Sequence, residues 1–352
     1  MQCNDKKESR ARCIKHICFL HFYYLIIMIQ SMRAAVVHAF GSSKNISILS
    51  DYAKPIIMDH ECLINVKFAG VNPVDTYIRE GNYAVLPELP YVPGREGSGI
   101  VVQIGPKYSG KLSVGDRVWF SSPRTGSCAE YCAAKHVFPL PNTASLEEGA
   151  VLGIAYTSAF RALFMKANIT EMDTLLIHGA SGGVGNAAIQ LAKSVGVKVI
   201  GTAGSPEGMK LIKNHGCDEV YNHRAPKYIE ELKQNYPNGF SVILEVLANI
   251  NLNNDLELIG KRGRIVIIGN RGLTTIDARR LMAKESTITG VGLAHTTPYE
   301  FPVIGSSISA LLEQKKINPT IQKIGTLDKL AEIHDEIMNP NITRTGKIII
   351  SI

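Results

Sequence analysis

Four glycines, Gly179, Gly182, Gly183 and Gly185, stand directly after the apolar stretch Thr174-Leu175-Leu176-Ile177-His178. A segment with Val184, Ala188, Leu191 and Val195 at helical spacing follows them. Strand, glycine turn and helix in that order suit the pyrophosphate of a dinucleotide. The backbone turns tightly, the phosphates approach amides unobstructed by a Cβ, and the helix N-terminus offers free N–H groups and a partial positive charge. The string departs from G-x-G-x-x-G at its first glycine, which is Ala180, so Ser181, Gly182, Gly183 and Val184 carry the turn. Alone it could be a structural loop, and its meaning depends on the alternating strands and helices around it.

The end of the next strand decides between the two nicotinamide dinucleotides. NAD enzymes place an acid about 20 residues beyond the glycine turn to hold the ribose hydroxyls. Here the chain reads Thr202-Ala203-Gly204-Ser205, with Glu207 the nearest carboxylate. Lys210 and the pair His223-Arg224 are basic candidates for a 2′-phosphate, each also readable as an ordinary surface charge. The pattern predicts NADPH.

Stepping out to the scaffold, residues 147–285 alternate short apolar runs (174–178, 198–201, 219–221, 241–244 and 264–268) with helical stretches, which predicts βαβ units around a parallel sheet. Residues 33–140 instead offer β-branched runs broken by Gly and Pro, at 34–38, 61–68, 98–104, 116–120 and 129–133. After Thr289 the chain returns to short strands and an amphipathic helix, and it closes with Gly346-Lys347-Ile348-Ile349-Ile350. The β-rich unit is therefore expected to be discontinuous, with the α/β unit set inside it.

A length of 352 residues suits two domains, and 45% hydrophobic with 20% charged residues describes a globular protein. Of the formal net charge of +7, three units come from the first 31 residues, where Lys6, Lys7, Arg10, Arg12 and Lys15 face Asp5 and Glu8. The remainder is a weak footprint for a polyanion. The seven cysteines form no C-x-x-C pair, so reduced thiols in a cytoplasmic protein are expected, with Cys128 and Cys132 as packing residues. Residues 17–29 form an apolar run broken by His21, short for a bilayer and followed by no small-x-small cleavage site. A non-structural extension over residues 1–31, or an upstream start, is the expectation, with a signal or anchor as the alternative.

Several strings together resemble the zeta-crystallin-like NADPH:quinone oxidoreductases, a zinc-independent branch of the medium-chain dehydrogenase/reductase superfamily. They are Gly70-Val71-Asn72-Pro73-Val74-Asp75-Thr76-Tyr77, Pro90-Tyr91-Val92-Pro93-Gly94, Val114-Gly115-Asp116-Arg117-Val118, the glycine turn, Asn222-His223-Arg224, Leu247-Ala248-Asn249 and Met282-Ala283-Lys284-Glu285-Ser286. The resemblance implies an α/β fold in which a GroES-like β-rich substrate domain (residues 32–148 and 289–352) carries an inserted Rossmann domain, a doubly wound parallel sheet (residues 149–288). It implies NADPH along Tyr77, Ser181, Gly182, Gly183, Val184, Gly204, Lys210, His223, Asn251, Ile268, Gly269, Asn270 and Arg271. Asn72, Tyr77 and Tyr83 would face the nicotinamide and the substrate, although Tyr83 also reads as a half-buried packing ring. Zinc members carry Cys where Asn72 stands and Gly-His-Glu where Gly94-Arg95-Glu96 stands, so no metal is expected. Ala155 stands where the branch tends to have Pro, which implies a looser loop under the nicotinamide.

The implied activity is reduction of a quinone or related conjugated carbonyl, in a homodimer or homotetramer with no membrane attachment. An enone or 2-enoyl-thioester reductase is the alternative enzyme, and weak AU-rich RNA binding or a structural, crystallin-like role is the alternative of another class.

Overall fold

The computed structural model describes residues 31–339 and 341–352; the expected extension lies outside the described residues, apart from Ser31. That residue opens β1 (Ser31–Val37), which pairs antiparallel with β2 (Ile46–Ala53). The larger β sheet uses β3 (Cys62–Val71), β4 (Glu96–Ile104), β5 (Arg117–Ser121), β6 (Tyr131–Ala134) and β7 (His136–Pro139). Helix α1 (Pro73–Glu80) leaves the end of β3.

The α/β unit then supplies β8 (Thr174–Ile177), α2 (Gly183–Lys193), β9 (Lys198–Ala203), α3 (Pro206–Asn214), β10 (Glu219–Asn222), α4 (Tyr228–Asn235), β11 (Phe240–Glu245), α5 (Ala248–Leu258), β12 (Ile259–Ile267) and β13 (Thr287–Gly290). Its six strands are all parallel in the order β10-β9-β8-β11-β12-β13. The direction of winding reverses between β8 and β11, and a ligand crevice opens at such a switch point. Because both faces of this sheet are covered, its central strands are continuously apolar. Leu175, Ile177, Val242 and Leu244 are buried on one face, and Leu176 and Ile243 on the other. Strand β13 carries the sheet to Gly290, two residues past the expected boundary at 288, and Val195 lies beyond the end of α2 and is 41% exposed.

The chain then forms α6 (Glu300–Glu313), β14 (Ile321–Thr326), α7 (Leu330–Met338) and β15 (Lys347–Ser351). Strand β15 enters the first β sheet between β14 and β3, giving the order β14-β15-β3-β4-β5-β7 with β6 also on β3. Helix α6 seals the two units together. Its Ile304, Ile308 and Leu312 share one apolar core with Trp119 of β5 and with Leu175 and Val242 of the parallel sheet. The Trp119 indole N–H donates to Ser309 of the same helix at 3.0 Å.

Residues 152–166 form a buried helical stretch with π-type turns at Leu152–Tyr156 and Arg161–Lys166. Ala155, expected in a loosened loop, is a buried member of the first of these turns. Cys128 and Cys132 are both buried, and burial pushes both thiols well above their usual range. Among the described residues no helix is long and apolar enough to cross a membrane.

The last glycine of the turn has a steric reason. A Cβ at Gly185 would lie 2.6 Å from the Ala180 Cα and 2.7 Å from the Gly179 carbonyl oxygen, both backbone atoms that cannot swing aside. Gly185→Ala should therefore cost on the order of 2 kcal/mol by overpacking, read from denaturant unfolding. An unchanged midpoint would show that α2 shifts away from the turn freely.

Candidate active site

A cleft of about 900 Å³ runs between the two units. One wall is the corner where β3 turns into α1. Asn72 is the N-cap of that helix and Pro73 its first residue, where a missing N–H is harmless. The Asp75 carboxylate accepts the Asn72 backbone N–H at 2.8 Å, which holds the corner. The helix stops at Gly81, whose φ of 79° is the left-handed conformation glycine adopts without cost. Asn72 and Tyr77 line the cleft from this corner, and Tyr83, 40% exposed, lines it beyond the helix.

The opposite wall is the glycine turn, with Gly182, Gly183 and Val184, together with Ile268, Gly269, Asn270 and Arg271 after β12. Gly182 has no contact closer than 3.4 Å at the place of a Cβ, so its backbone stands bare. The closing segment forms the floor: Gly182 makes a parallel bridge to Gly346, and Lys347 follows.

The Lys347 ammonium is buried and lies 2.7 Å from Glu96 Oε1. It also donates to the Asn72 side-chain oxygen, while the Asn72 amide nitrogen donates to the same Glu96 oxygen at 2.8 Å. Glu96 Oε2 accepts the Ile154 N–H, 2.7 Å away, from the π-type turn. Room for this carboxylate comes from Gly70, since a Cβ there would sit 2.4 Å from Glu96 Oε1. The Asn72 amide is thereby fixed at both ends, leaving one N–H unused by these two partners. Arg95 lines the same cleft and reaches Ser122 at 3.4 Å. Burial pushes the Asp75 carboxyl up to about 6, with Glu96 adding to the rise and the Asn72 hydrogen bond, Arg95 and Lys347 opposing it.

This donor set does not suit zinc. The Glu96 carboxylate is held by an amide and an ammonium, and a zinc ion would have to share the space with that fixed positive charge.

Of the other residues expected along a dinucleotide, Gly204 sits at the end of β9 with the His223 and Arg224 side chains closing over it. The Ser181 side chain meets Gly208 of α3, and Lys210 is exposed on that helix. Asn251, on α5, turns its side chain to Glu245 at 3.4 Å instead of into the open cleft. Sequence reasoning missed Lys347 and Arg344 as cleft groups, and Glu96 as the buried partner of Lys347. The available signal for Lys347 was a lone charge inside the apolar closing strand.

The architecture defines a dinucleotide-dependent dehydrogenase or reductase built from a GroES-like and a Rossmann unit. The family models agree, an alcohol dehydrogenase GroES-like domain over residues 58–162 and a zinc-binding dehydrogenase domain over residues 183–308. The chain is 43% identical to the quinone oxidoreductase of Pongo abelii and 42% to that of Homo sapiens, each over 91% of this chain and 97% of the relative. Among solved structures, mycobacterial Rv1454c complexed with NADPH matches with a TM-score of 0.82 at 26% identity, over 92% of this chain and all of its own. The chain therefore belongs to the quinone oxidoreductase family of the medium-chain dehydrogenase/reductase superfamily, and it is an oxidoreductase.

The buried ion pair gives a direct test. Lys347→Met leaves Glu96 as an uncompensated buried charge and should cost about 3–5 kcal/mol of stability. Adding Glu96→Gln should recover part of that loss. Equal Tm values for wild type and Lys347→Met would mean that the pair contributes nothing to the fold.

Proposed function

We propose that the chain passes a hydride from NADPH to a quinone or a similar conjugated carbonyl without zinc. The observation that carries this reading is the Asn72–Glu96–Lys347 network facing the bare glycine turn across one cleft. Gly182, Gly183 and the N-terminus of α2 suit the pyrophosphate. Gly204 with His223 and Arg224, and Lys210 beside them, suit a 2′-phosphate, because no carboxylate occupies the end of β9 to repel it. Ile268, Gly269, Asn270 and Arg271 lie along the nicotinamide half of the cleft, with Ser181 in the glycine turn and Asn251 on α5 behind it. When bound, the cofactor supplies the hydride.

The chain's own contribution is positioning and charge. The unused Asn72 N–H is available to a carbonyl oxygen of the acceptor, and the Lys347 ammonium is a fixed positive charge behind it, where negative charge develops during reduction. Tyr77 and Tyr83 offer ring faces to a flat conjugated acceptor. Such an acceptor needs little polarisation, which fits a site whose cation is an ammonium and whose other partners are amides. An enone or enoyl thioester would use the same groups, and turnover of an ortho-quinone beside an enoyl thioester separates the two.

NADPH should bind about tenfold to a hundredfold more tightly than NADH, the effect of one or two charge-assisted bonds. Equal dissociation constants would sink the assignment. Treatment with a strong chelator should leave turnover intact, whereas one zinc per chain lost together with activity would overturn metal independence.

For Tyr77, a positioning ring predicts little change in Tyr77→Phe and a raised KM for NADPH with slower turnover in Tyr77→Ala. If the hydroxyl itself donates to the developing oxyanion, Tyr77→Phe alone should lose on the order of a hundredfold in kcat. Steady-state kinetics of both variants separates these outcomes.

A further inference from the structure

Behind the cofactor-facing loops lies a buried trio that the proposed reaction does not use. His178 ends the apolar run of β8 immediately before the glycine turn, Glu245 is the last residue of β11, and Asp255 lies on α5. All three are buried, and one oxygen or nitrogen from each falls within 4.8 Å of the others. His178 Nε2 stands 2.9 Å from Asp255 Oδ1. Neighbouring ligand atoms around a tetrahedral zinc are about 3.3 Å apart, so this separation is that of an ion pair.

Glu245 is tied to the segments that follow β11 and β12. Its side-chain Oε1 accepts the Leu247 N–H and, at 3.4 Å, the Asn251 amide. Its backbone carbonyl accepts the Ile268 N–H at 2.8 Å and the Gly269 N–H at 3.4 Å. His178 reaches the third loop through the chain itself, because Gly179 N–H donates to Thr202 Oγ1, which also contacts His223 Nδ1. Glu245 Oε2 and both Asp255 oxygens have no aligned hydrogen-bond donor among the described residues. The trio is thus a buried cluster of ionisable groups in which the Glu245 hydrogen bonds run to the loops and Asp255 Oδ1 faces the His178 ring.

We propose that Glu245, held by His178 and Asp255, is a positioning residue for the dinucleotide loops, and that a proton gained or lost within this trio changes how tightly the cofactor is held. The inference rests on the reading that the cleft takes NADPH. Burial pushes the Glu245 carboxyl up to about 7, with Asp255 adding to the rise and His178 and the Leu247 and Asn251 hydrogen bonds opposing it. For His178 burial disfavours the charged ring, but Asp255 and Glu245 outweigh it and hold the imidazole above its usual range. The other titratable groups facing the trio are Tyr228 of α4, pushed up by burial and by both carboxylates, and His223 after β10, pushed down by burial, His178 and Arg224.

Glu245 is neutral below about 7 and ionised above it, so the trio gains one negative charge as pH rises through that value. A buried negative charge under an anion-binding turn opposes the cofactor phosphates, so affinity falls as pH rises. The same sign governs stability. Glu245 has its folded value raised above the ordinary 4.5, so its contribution is full below 4.5 and lost as pH rises through about 7.

The test measures NADPH and NADH dissociation constants by cofactor fluorescence between about pH 6 and pH 8, with the Tm of the cofactor-free protein over the same range. Wild type should lose about fivefold in affinity for both cofactors across this span. NADH serves because it lacks the 2′-phosphate, which titrates in the same range. Glu245→Gln should flatten both the affinity and the Tm profiles. Asp255→Asn, a second variant should the first not fold, should move the midpoint to lower pH. A flat wild-type profile, or an unchanged slope in Glu245→Gln with binding intact, overturns the trio's role alone. Failure of either cofactor to bind at any pH overturns the cleft reading and this one with it.

Discussion

A lysine ammonium buried at the floor of a cleft has to be met by a carboxylate, and Lys347 is met by Glu96 at 2.7 Å. Much of the site's geometry depends on that contact. Glu96 has room because Gly70 has no Cβ, and its second oxygen takes the Ile154 N–H from a π-type turn. Asn72 is oriented because its amide spans the two partners of the ion pair. Strands β3, β4 and β15 and the helical stretch after residue 152 are thus held to one another by polar contacts at the point where the substrate unit faces the glycine turn.

The zinc-binding dehydrogenase model matches this chain although the residues facing the cleft are wrong for that metal. The fold supplies a cleft, a bare turn and a helix N-terminus, and these bind a dinucleotide whether or not a Lewis acid sits opposite. Beside Asn72, the cation fixed by hydrogen bonds is Lys347, and Arg95 lines the same cleft. Such a cation stabilises negative charge through space without taking a ligand.

The parts legible in the sequence share one physical origin. Strands β8, β9, β11 and β12 are marked by apolar runs because a parallel sheet buries both faces, and the glycine turn is marked because only glycine permits its contacts. Strands β2 and β14 were not legible: both lie half exposed, and their Ser, Asp, Gln and Lys residues blur any alternation. The π-type turns left no signature, since an extra residue in a buried apolar helix changes no residue type. Lys347 and the His178 trio escaped for another reason. Their partners lie far along the chain, Asn72 from Lys347 and Asp255 from His178, and only the fold brings them together.

Strand β15 lies in the interior of its sheet, between β14 and β3, yet it is made after every other strand of the fold. All six strands of the parallel sheet leave the ribosome before it, so the nucleotide unit can close its own sheet while β3 still waits for a neighbour on one side. Until that neighbour arrives, residues 68–71 of β3 present an open edge and Glu96 has no ammonium. The nascent molecule therefore passes through a stage with a nearly complete cofactor half and an unfinished substrate half. A chain cut just before Gly346 would be held at that stage, exposing the kind of unpaired edge that invites aggregation.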